Sequence, residues 1–342
     1  MSLKNSNVTI KIPKILKNKI NDKRINQIYQ KFENSLNISE NFAVAVSGGP
    51  DSLALAFLAK IYSINWKLNA KFLIIDHKLR LESTEEAKNV KKILKKNFIA
   101  SKILTWRGKK PFKNIQSLAR TKRYELLFAY CDRFKIRNIL LGHHQDDLFE
   151  NFFIRLLRGS GLRGLISLDK NTQINKKNLL RPLLDQKKED LIYISKLVFN
   201  FFIKDPSNEN FFFLRSRIRK LITDLNKEGL NQKKLDLTIK NLKSANEGIN
   251  FYVKKNIKNN AKFIENKKTY ILNKYFFSQS EEVIFRSISL VLKKISGRYY
   301  SPRGKSILDS IVKINSLKCK RFTLGGCFIE KINETVFITR EN

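Results

Sequence analysis

Ser47-Gly48-Gly49-Pro50-Asp51-Ser52 follows a small, β-prone run, Ala43-Val44-Ala45-Val46, and leads into an apolar helical pattern over 53–62. Strand, glycine-rich turn and helix start, in that order, gather backbone N–H groups and the positive end of a helix around one point. Such a point suits a phosphate. Loops ending in Gly-Lys-Ser/Thr place a lysine on the phosphates; this one has none and carries Asp51 instead. A bare carboxylate repels phosphate, so Asp51 is expected to act through a cation, with Mg2+ the natural choice between carboxylate and phosphate oxygens. Ser47, Gly48, Gly49, Pro50, Asp51 and Ser52 are the expected phosphate grip.

A second cluster is His143-His144-Gln145-Asp146-Asp147, with Glu150 three residues on. On a helix starting near His143, about 100° per residue puts His143, Asp146, Asp147 and Glu150 in one arc. Phe149, Phe152, Phe153 and Leu156 fall on the adjacent arc and can anchor it to a core. An acidic arc with an imidazole suits a cation, either a metal ion or an ammonium group. Arg120 and Arg123 are candidates for stabilising charge on a phosphate or an activated group. Arg158, Arg163, Arg215, Arg217 and Arg219 are candidates for a polyanion backbone.

The elements that must position these residues alternate. Apolar β-prone runs at 42–46, 71–76, 101–106 and 137–142 are separated by helical patterns over 52–63, 83–97, 114–134 and 145–158. This predicts βαβ units, hence an α/β fold with a parallel sheet covered on both faces. Right-handed crossovers bring the strand C-termini to one edge, where ligands of open α/β sheets bind. Three unusual clusters fall there: 47–52, Asp76-His77 and 143–147. A strand at 179–184, a helix over 187–202, a turn at Asp205-Pro206-Ser207-Asn208 and a basic helix entered at Arg215 follow. The domain reading is a basic extension over 1–40, a catalytic domain over 41–228, and a helical then α+β region over 229–342. In the extension, 21–35 reads as a helix, either part of a frayed arm or packed on the next domain. In the last region, helices are expected over 230–265 and 279–295, and a hairpin from 322–331 and 335–340. Lys318, Lys320 and Arg321 flank that hairpin, and Tyr299 and Tyr300 are candidates for base stacking or core packing.

The formal net charge is +38, from 68 Lys+Arg against 30 Asp+Glu. It points to a polyanionic partner, most simply nucleic acid. Three cysteines, Cys131, Cys319 and Cys327, with no C-x-x-C, argue for a reducing compartment rather than a disulfide framework. All three histidines lie in the first half, which excludes a zinc finger. No run approaches the ~18 apolar residues of a membrane span, and the first residues show no secretory pattern. A cytoplasmic protein without a membrane partner is expected.

The 47–52 loop resembles the signature of the N-type ATP pyrophosphatases. Further motifs narrow the likeness: Asp76-His77-Lys78-Leu79-Arg80-Leu81-Glu82-Ser83, Ala119-Arg120-Thr121-Lys122-Arg123-Tyr124, Gly142-His143-His144-Gln145-Asp146-Asp147, Leu156-Leu157-Arg158-Gly159-Ser160-Gly161-Leu162-Arg163-Gly164, Arg181-Pro182-Leu183-Leu184 and Asp205-Pro206-Ser207-Asn208. In this order over 41–220 they are similar to those of the tRNA(Ile)-lysidine synthetases. Lys78, Leu81, Leu148 and Ser216 depart from the usual residues. The resemblance implies an adenine nucleotide alpha hydrolase-like domain followed by tRNA-docking accessory regions. It implies ATP and Mg2+ as cofactors, and free lysine and tRNA(Ile) with a CAU anticodon as partners. The implied reaction adenylates ring position 2 of the wobble cytidine, then joins lysine there, shifting codon reading from AUG to AUA. Asp51, His143, Asp146, Asp147 and Arg120 are then the expected catalytic set. Asp147 and Glu150 are expected to hold lysine; the five later arginines are expected on tRNA. The general base is open among Asp146, Asp147, His143 and His144, and a homodimer is left open. The alternatives are a tRNA thiolase of the same superfamily and a non-catalytic RNA-binding relative.

Overall fold

The computed structural model describes residues 13–79, 82–108, 115–203, 214–298, 301–316 and 321–341. Outside them lie Arg80 and Leu81 of the second motif, the 205–208 turn, Tyr299, Tyr300, Lys318, Cys319 and Lys320. The chain divides into two compact units, residues 1–230 and 231–342.

The first unit opens with α1 (Lys14–Ile20) and α2 (Lys23–Asn34). Of the two readings open for 21–35, a packed helix is found. Leu16, Ile25, Ile28 and Phe32 are buried in the same core as Phe57 and Leu58. The Asp22 carboxylate caps α2 by accepting from the Ile25 N–H at 3.0 Å. Then come β1 (Phe42–Val46), α3 (Pro50–Asn65), β2 (Ala70–Asp76), α4 (Ser83–Lys96), β3 (Ser101–Thr105), α5 (Ile115–Arg133), β4 (Asn138–Leu140) and α6 (Gln145–Leu156). The strands lie in the order β3-β2-β1-β4, all parallel. Alternate residues serve opposite faces. Val44, Phe72 and Leu140 join the core that holds α3; Ala43, Leu73 and Ile139 join a second core with Leu127 and Cys131 of α5. α3 is buried nearly all round, as its unbroken apolar sequence requires.

After α7 (Leu162–Leu165), the sheet continues with a hairpin of β5 (Asn171–Ile174) and β6 (Lys177–Leu180), then α8 (Lys188–Phe199) and α9 (Leu214–Lys227). β6 extends the parallel sheet beside β4, and β5 closes its edge antiparallel. Asn175 and Lys176 turn the hairpin with φ of 46° and 61°, the left-handed pair that a two-residue turn uses.

The second unit contains α10 (Gln232–Asn260), β7 (Ala261–Ile264), β8 (Thr269–Leu272), α11 (Glu281–Ser296), α12 (Gly304–Asn315), β9 (Arg321–Leu324), β10 (Cys327–Ile332) and β11 (Thr335–Arg340). The strands form an antiparallel sheet in the order β7-β8-β11-β10-β9. Two expectations are corrected here. The region 230–265 is one helix that stops at Asn260 and passes into a strand. The run 322–331 is two strands, folded at Gly325 and Gly326 with φ of 63° and 82°. Leu272, Phe276, Ile288, Leu292, Ile329 and Ile338 fill this unit's own core. Among the described residues, no helix is long and apolar enough to cross a membrane.

Candidate active site

The 47–52 loop joins β1 to α3 at the C-terminal edge of the parallel sheet. Gly48 has φ of 91°, and a Cβ there would lie 2.5 Å from Val90 Cγ2 and 2.7 Å from Ile203 Cδ1. Only glycine fits. The Ser52 hydroxyl organises the turn: it accepts from the Ser47 and Gly48 N–H groups, each at 3.1 Å, and donates to the Gly49 carbonyl at 3.0 Å. α8 secures the loop from below, Ser195 Oγ donating to the Pro50 carbonyl at 2.6 Å.

Gly142, just after β4, brings the second cluster to the first. A Cβ on it would lie 3.2 Å from the Ser52 N and Cα atoms, so the two backbones touch. His144 Nε2 then sits 3.6 Å from Asp51 Oδ2 and 3.6 Å from Asp147 Oδ2. The His144 ring is fixed by its other nitrogen, Nδ1, which accepts from the Asp146 N–H at 3.3 Å; the His144 N–H donates to Asp147 Oδ2 at 3.0 Å. This is a reciprocal helix cap built with histidine in place of serine. With Nδ1 accepting, the ring proton is assigned to Nε2, facing both carboxylates.

This corrects the expectation of a helix from His143. α6 begins at Gln145; His144 lies between Asp51 and Asp147, while the charge of Asp147 also reaches His143. Asp51, Asp146 and Asp147 do converge on this one region. Burial pushes the Asp51 carboxyl up, with His144 and Lys188 opposing. Burial also works against ionised Asp147, but His144, His143 and the His144 N–H bring it below the usual carboxylate range. Burial drives His143 down to about 4, with Asp147 opposing and Arg181, Arg120 and Arg215 adding to the fall.

Glu150 lies deeper. Its Oε1 accepts from Arg219 Nε at 2.5 Å, and Oε2 is 4.0 Å from Arg215 Nε. Arg215 and Arg219, expected on a polyanion, thus turn toward this buried carboxylate. Burial raises Glu150, against Arg219. Arg158, Arg163 and Arg217 are exposed, as is Arg120, whose guanidinium lies over the Tyr124 ring. Arg123 donates to His77 Nε2 at 3.5 Å, and burial with Arg123 holds His77 down to about 4. Asp76 is structural: it accepts from the Lys78 N–H and from the Ser83 and Thr84 hydroxyls, tying down the start of α4.

Sequence reasoning ranked His144 below His143, passed over Lys188 and quoted Arg181 in a motif without giving it a role. The readable signal for His144 was its spacing to Asp147, that of a capping box. Arg181 donates to the Asp169 carbonyl and the Thr172 hydroxyl, a contact that depends on the unforeseen β5–β6 hairpin.

Among the described residues, no three His, Cys, Asp or Glu side chains form a metal cage. Magnesium needs none, since it keeps waters and phosphate oxygens around one or two carboxylates. Asp51 Oδ1 fits that use: it is buried with no hydrogen-bond partner among the described residues. Cys131 and Cys327 are buried, and burial pushes both thiols up to about 11.

The chain has counterparts in sequence and in fold among known proteins. The sequence profile of the PP-loop domain matches residues 17–225. The fold is similar to that of the U34-tRNA thiolase NcsA from Methanococcus maripaludis, with a TM-score of 0.56 at 17% identity over 66% of this chain and 79% of that one. In sequence, the chain is 34% identical to the tRNA(Ile)-lysidine synthase of Orientia tsutsugamushi (strain Boryong), covering 87% of this chain and 69% of that protein. It is 31% identical to the tRNA(Ile)-lysidine synthase of Wolbachia pipientis wMel, covering 91% of this chain and 74% of that protein. A lysine-free phosphate loop, the histidine-capped acidic helix and these likenesses together place the chain in the tRNA(Ile)-lysidine synthase family of PP-loop proteins.

Proposed function

We propose that this protein is an ATP-dependent ligase that joins free lysine to ring position 2 of the wobble cytidine in tRNA(Ile) with a CAU anticodon. The observation that carries the reading is the line Asp51–His144–Asp147, which sets an acidic helix start directly against a phosphate loop. The 47–52 loop at the start of α3 receives the nucleotide phosphates, its turn held in shape by the Ser52 hydroxyl, which engages the Ser47 and Gly48 N–H groups. Asp51, through its unpartnered oxygen, and Asp147 would hold Mg2+, which when bound neutralises phosphate charge. The cytidine carbonyl oxygen then bonds to the α-phosphorus of ATP, and pyrophosphate leaves.

In the second step the lysine ε-amine attacks the activated carbon and AMP leaves. The free amine has a pKa near 10.4, so it must lose a proton to attack. His144 is a poor acceptor, because Nδ1 serves the helix cap and Nε2 carries the proton. With Asp147 on Mg2+, Asp146 and His143 remain as acceptors. Glu150 Oε2, buried and with no hydrogen-bond partner among the described residues, is a docking point for an ammonium group. Arg120, whose charge reaches His143 as do those of Arg181 and Arg215, stabilises developing phosphate charge. The buried cysteines, with their raised thiols, disfavour a sulfur-carrying mechanism.

The test is incorporation of labelled lysine, with ATP and Mg2+, into tRNA(Ile) bearing CAU against elongator tRNA(Met). Incorporation into the first alone is expected. No incorporation into either by folded protein overturns the reading.

A further inference from the structure

α10 has two unlike faces. Val253 and Asn256 are buried, and Ile257 packs on the core of the second unit. The opposite face bears Phe251 and Tyr252, 62% and 56% exposed, among the exposed Lys254, Lys255 and Lys258. The two rings meet edge to face, with centroids 5.4 Å apart and planes at 84°. From residue 248 to 260 the sequence has no acidic residue. One exposed apolar side chain needs no explanation, but two adjacent rings inside a lysine cluster do.

We propose that this face of α10 is a stacking site for RNA, the rings taking an unpaired or terminal base and the lysines its flanking phosphates. Every base offers a π-face, so aromatic rings with cations bind nucleotides without reading sequence. Charge favours RNA over a second copy of this chain. Pairing two such faces would press six lysines together on molecules of net charge +38, whereas a polyanion relieves that repulsion. The proposal rests on the reading of this protein as tRNA-modifying and assigns part of the tRNA grip to one helix.

The experiment measures binding of fluorescent tRNA(Ile) by the full chain across a salt series. Three variants are compared: Phe251→Leu with Tyr252→Leu, Phe251→Trp with Tyr252→Trp, and Lys254, Lys255 and Lys258 all changed to Gln. The leucine pair should bind about tenfold more weakly with an unchanged salt slope, because stacking and not charge is lost. The tryptophan pair should bind at least as well as wild type. The lysine variant should lose about 0.7–0.9 of log–log slope per phosphate contact removed. Tryptophan fluorescence of the tryptophan pair should be quenched by tRNA beyond any quenching of wild type, which carries Trp66 and Trp106; no excess quenching overturns the proposal even if the leucine pair fails to fold. Wild-type affinity in the leucine pair overturns it too, as does sedimentation showing that the leucine pair merely splits a dimer. Binding is read without lysine transfer. A protein that stacks tRNA but transfers no lysine keeps this inference and loses the proposed function.

Discussion

Asp51 and His144 divide the work of one contact, and each can be removed alone. Asp51→Asn keeps the size of the side chain and its helix position but removes the charge. ATP–pyrophosphate exchange should fall by about a hundredfold or more, the scale on which a positioned charge at a reacting phosphate acts; a normal exchange rate would remove Asp51 from the mechanism. His144→Asn retains a side chain able to cap α6 while deleting the Nε2–H that faces Asp51 and Asp147. Exchange should drop with little change in thermal stability. An equal loss in His143→Gln, which leaves that bridge intact, would show that the bridge is not what matters. Glu150→Ala should spare exchange and raise the lysine concentration needed for transfer; matched losses in both steps would overturn its assignment to lysine. The sequence showed which carboxylates gather here, because Asp51, Asp146 and Asp147 sit at the ends of predicted strands. It did not show which histidine joins them. That depends on whether the helix starts at residue 143 or 145, and a helix start is decided by cap geometry rather than by apolar period.

Two contacts decide how α6 is held. At its start, Gly142 runs against the backbone of Ser52, with only 3.2 Å available to a Cβ. Gly142→Ala must push the loop and the helix apart by a few tenths of an ångström. The expected result is a folded protein with reduced exchange, checked by circular dichroism beside the exchange assay. Further along, the Arg219–Glu150 pair joins α9 to α6. Arg219→Gln leaves the buried carboxylate with Arg215 alone, 4.0 Å away, which should cost on the order of 2 kcal/mol, below the full buried-pair range because Arg219 keeps part of its surface in water. Glu150→Gln added to it should recover part of that loss, as a double-mutant cycle in urea would measure. Strict additivity would mean the pair contributes nothing. The parallel strands were legible because each is an apolar run between long helical patterns. β7 and β8 were not, since four residues such as Ala261-Lys262-Phe263-Ile264 carry too little period to stand out beside a lysine-rich helix. Nor was β5, an edge strand whose evidence is one tight turn at Asn175-Lys176.

Across the whole molecule, part of the acid sensitivity follows from two half-buried histidines held as neutral rings, to which the lowered Asp147 adds with the same sign. His77 and His143 both fall to about 4 in the folded protein, chiefly through burial. In the unfolded chain they titrate near 6.5. Between those values the unfolded state binds protons that the folded state refuses, so stability is full above pH 6.5 and is lost as pH falls toward 4. Asp51 and Glu150 act with the opposite sign. Their carboxyls are raised in the folded protein, so they favour folding as pH falls toward the ordinary carboxylate range and offset part of the loss. The histidine share can be isolated. His143→Gln removes one titrating ring, so its urea midpoint should fall less between pH 7 and pH 5 than that of wild type, by a difference of about 1–2 kcal/mol. If wild type and variant lose stability in parallel, His143 is protonated in the folded protein at pH 5. The neutral ring facing Asp147 is then absent at that pH, and with it the case for His143 as a proton acceptor in lysine transfer.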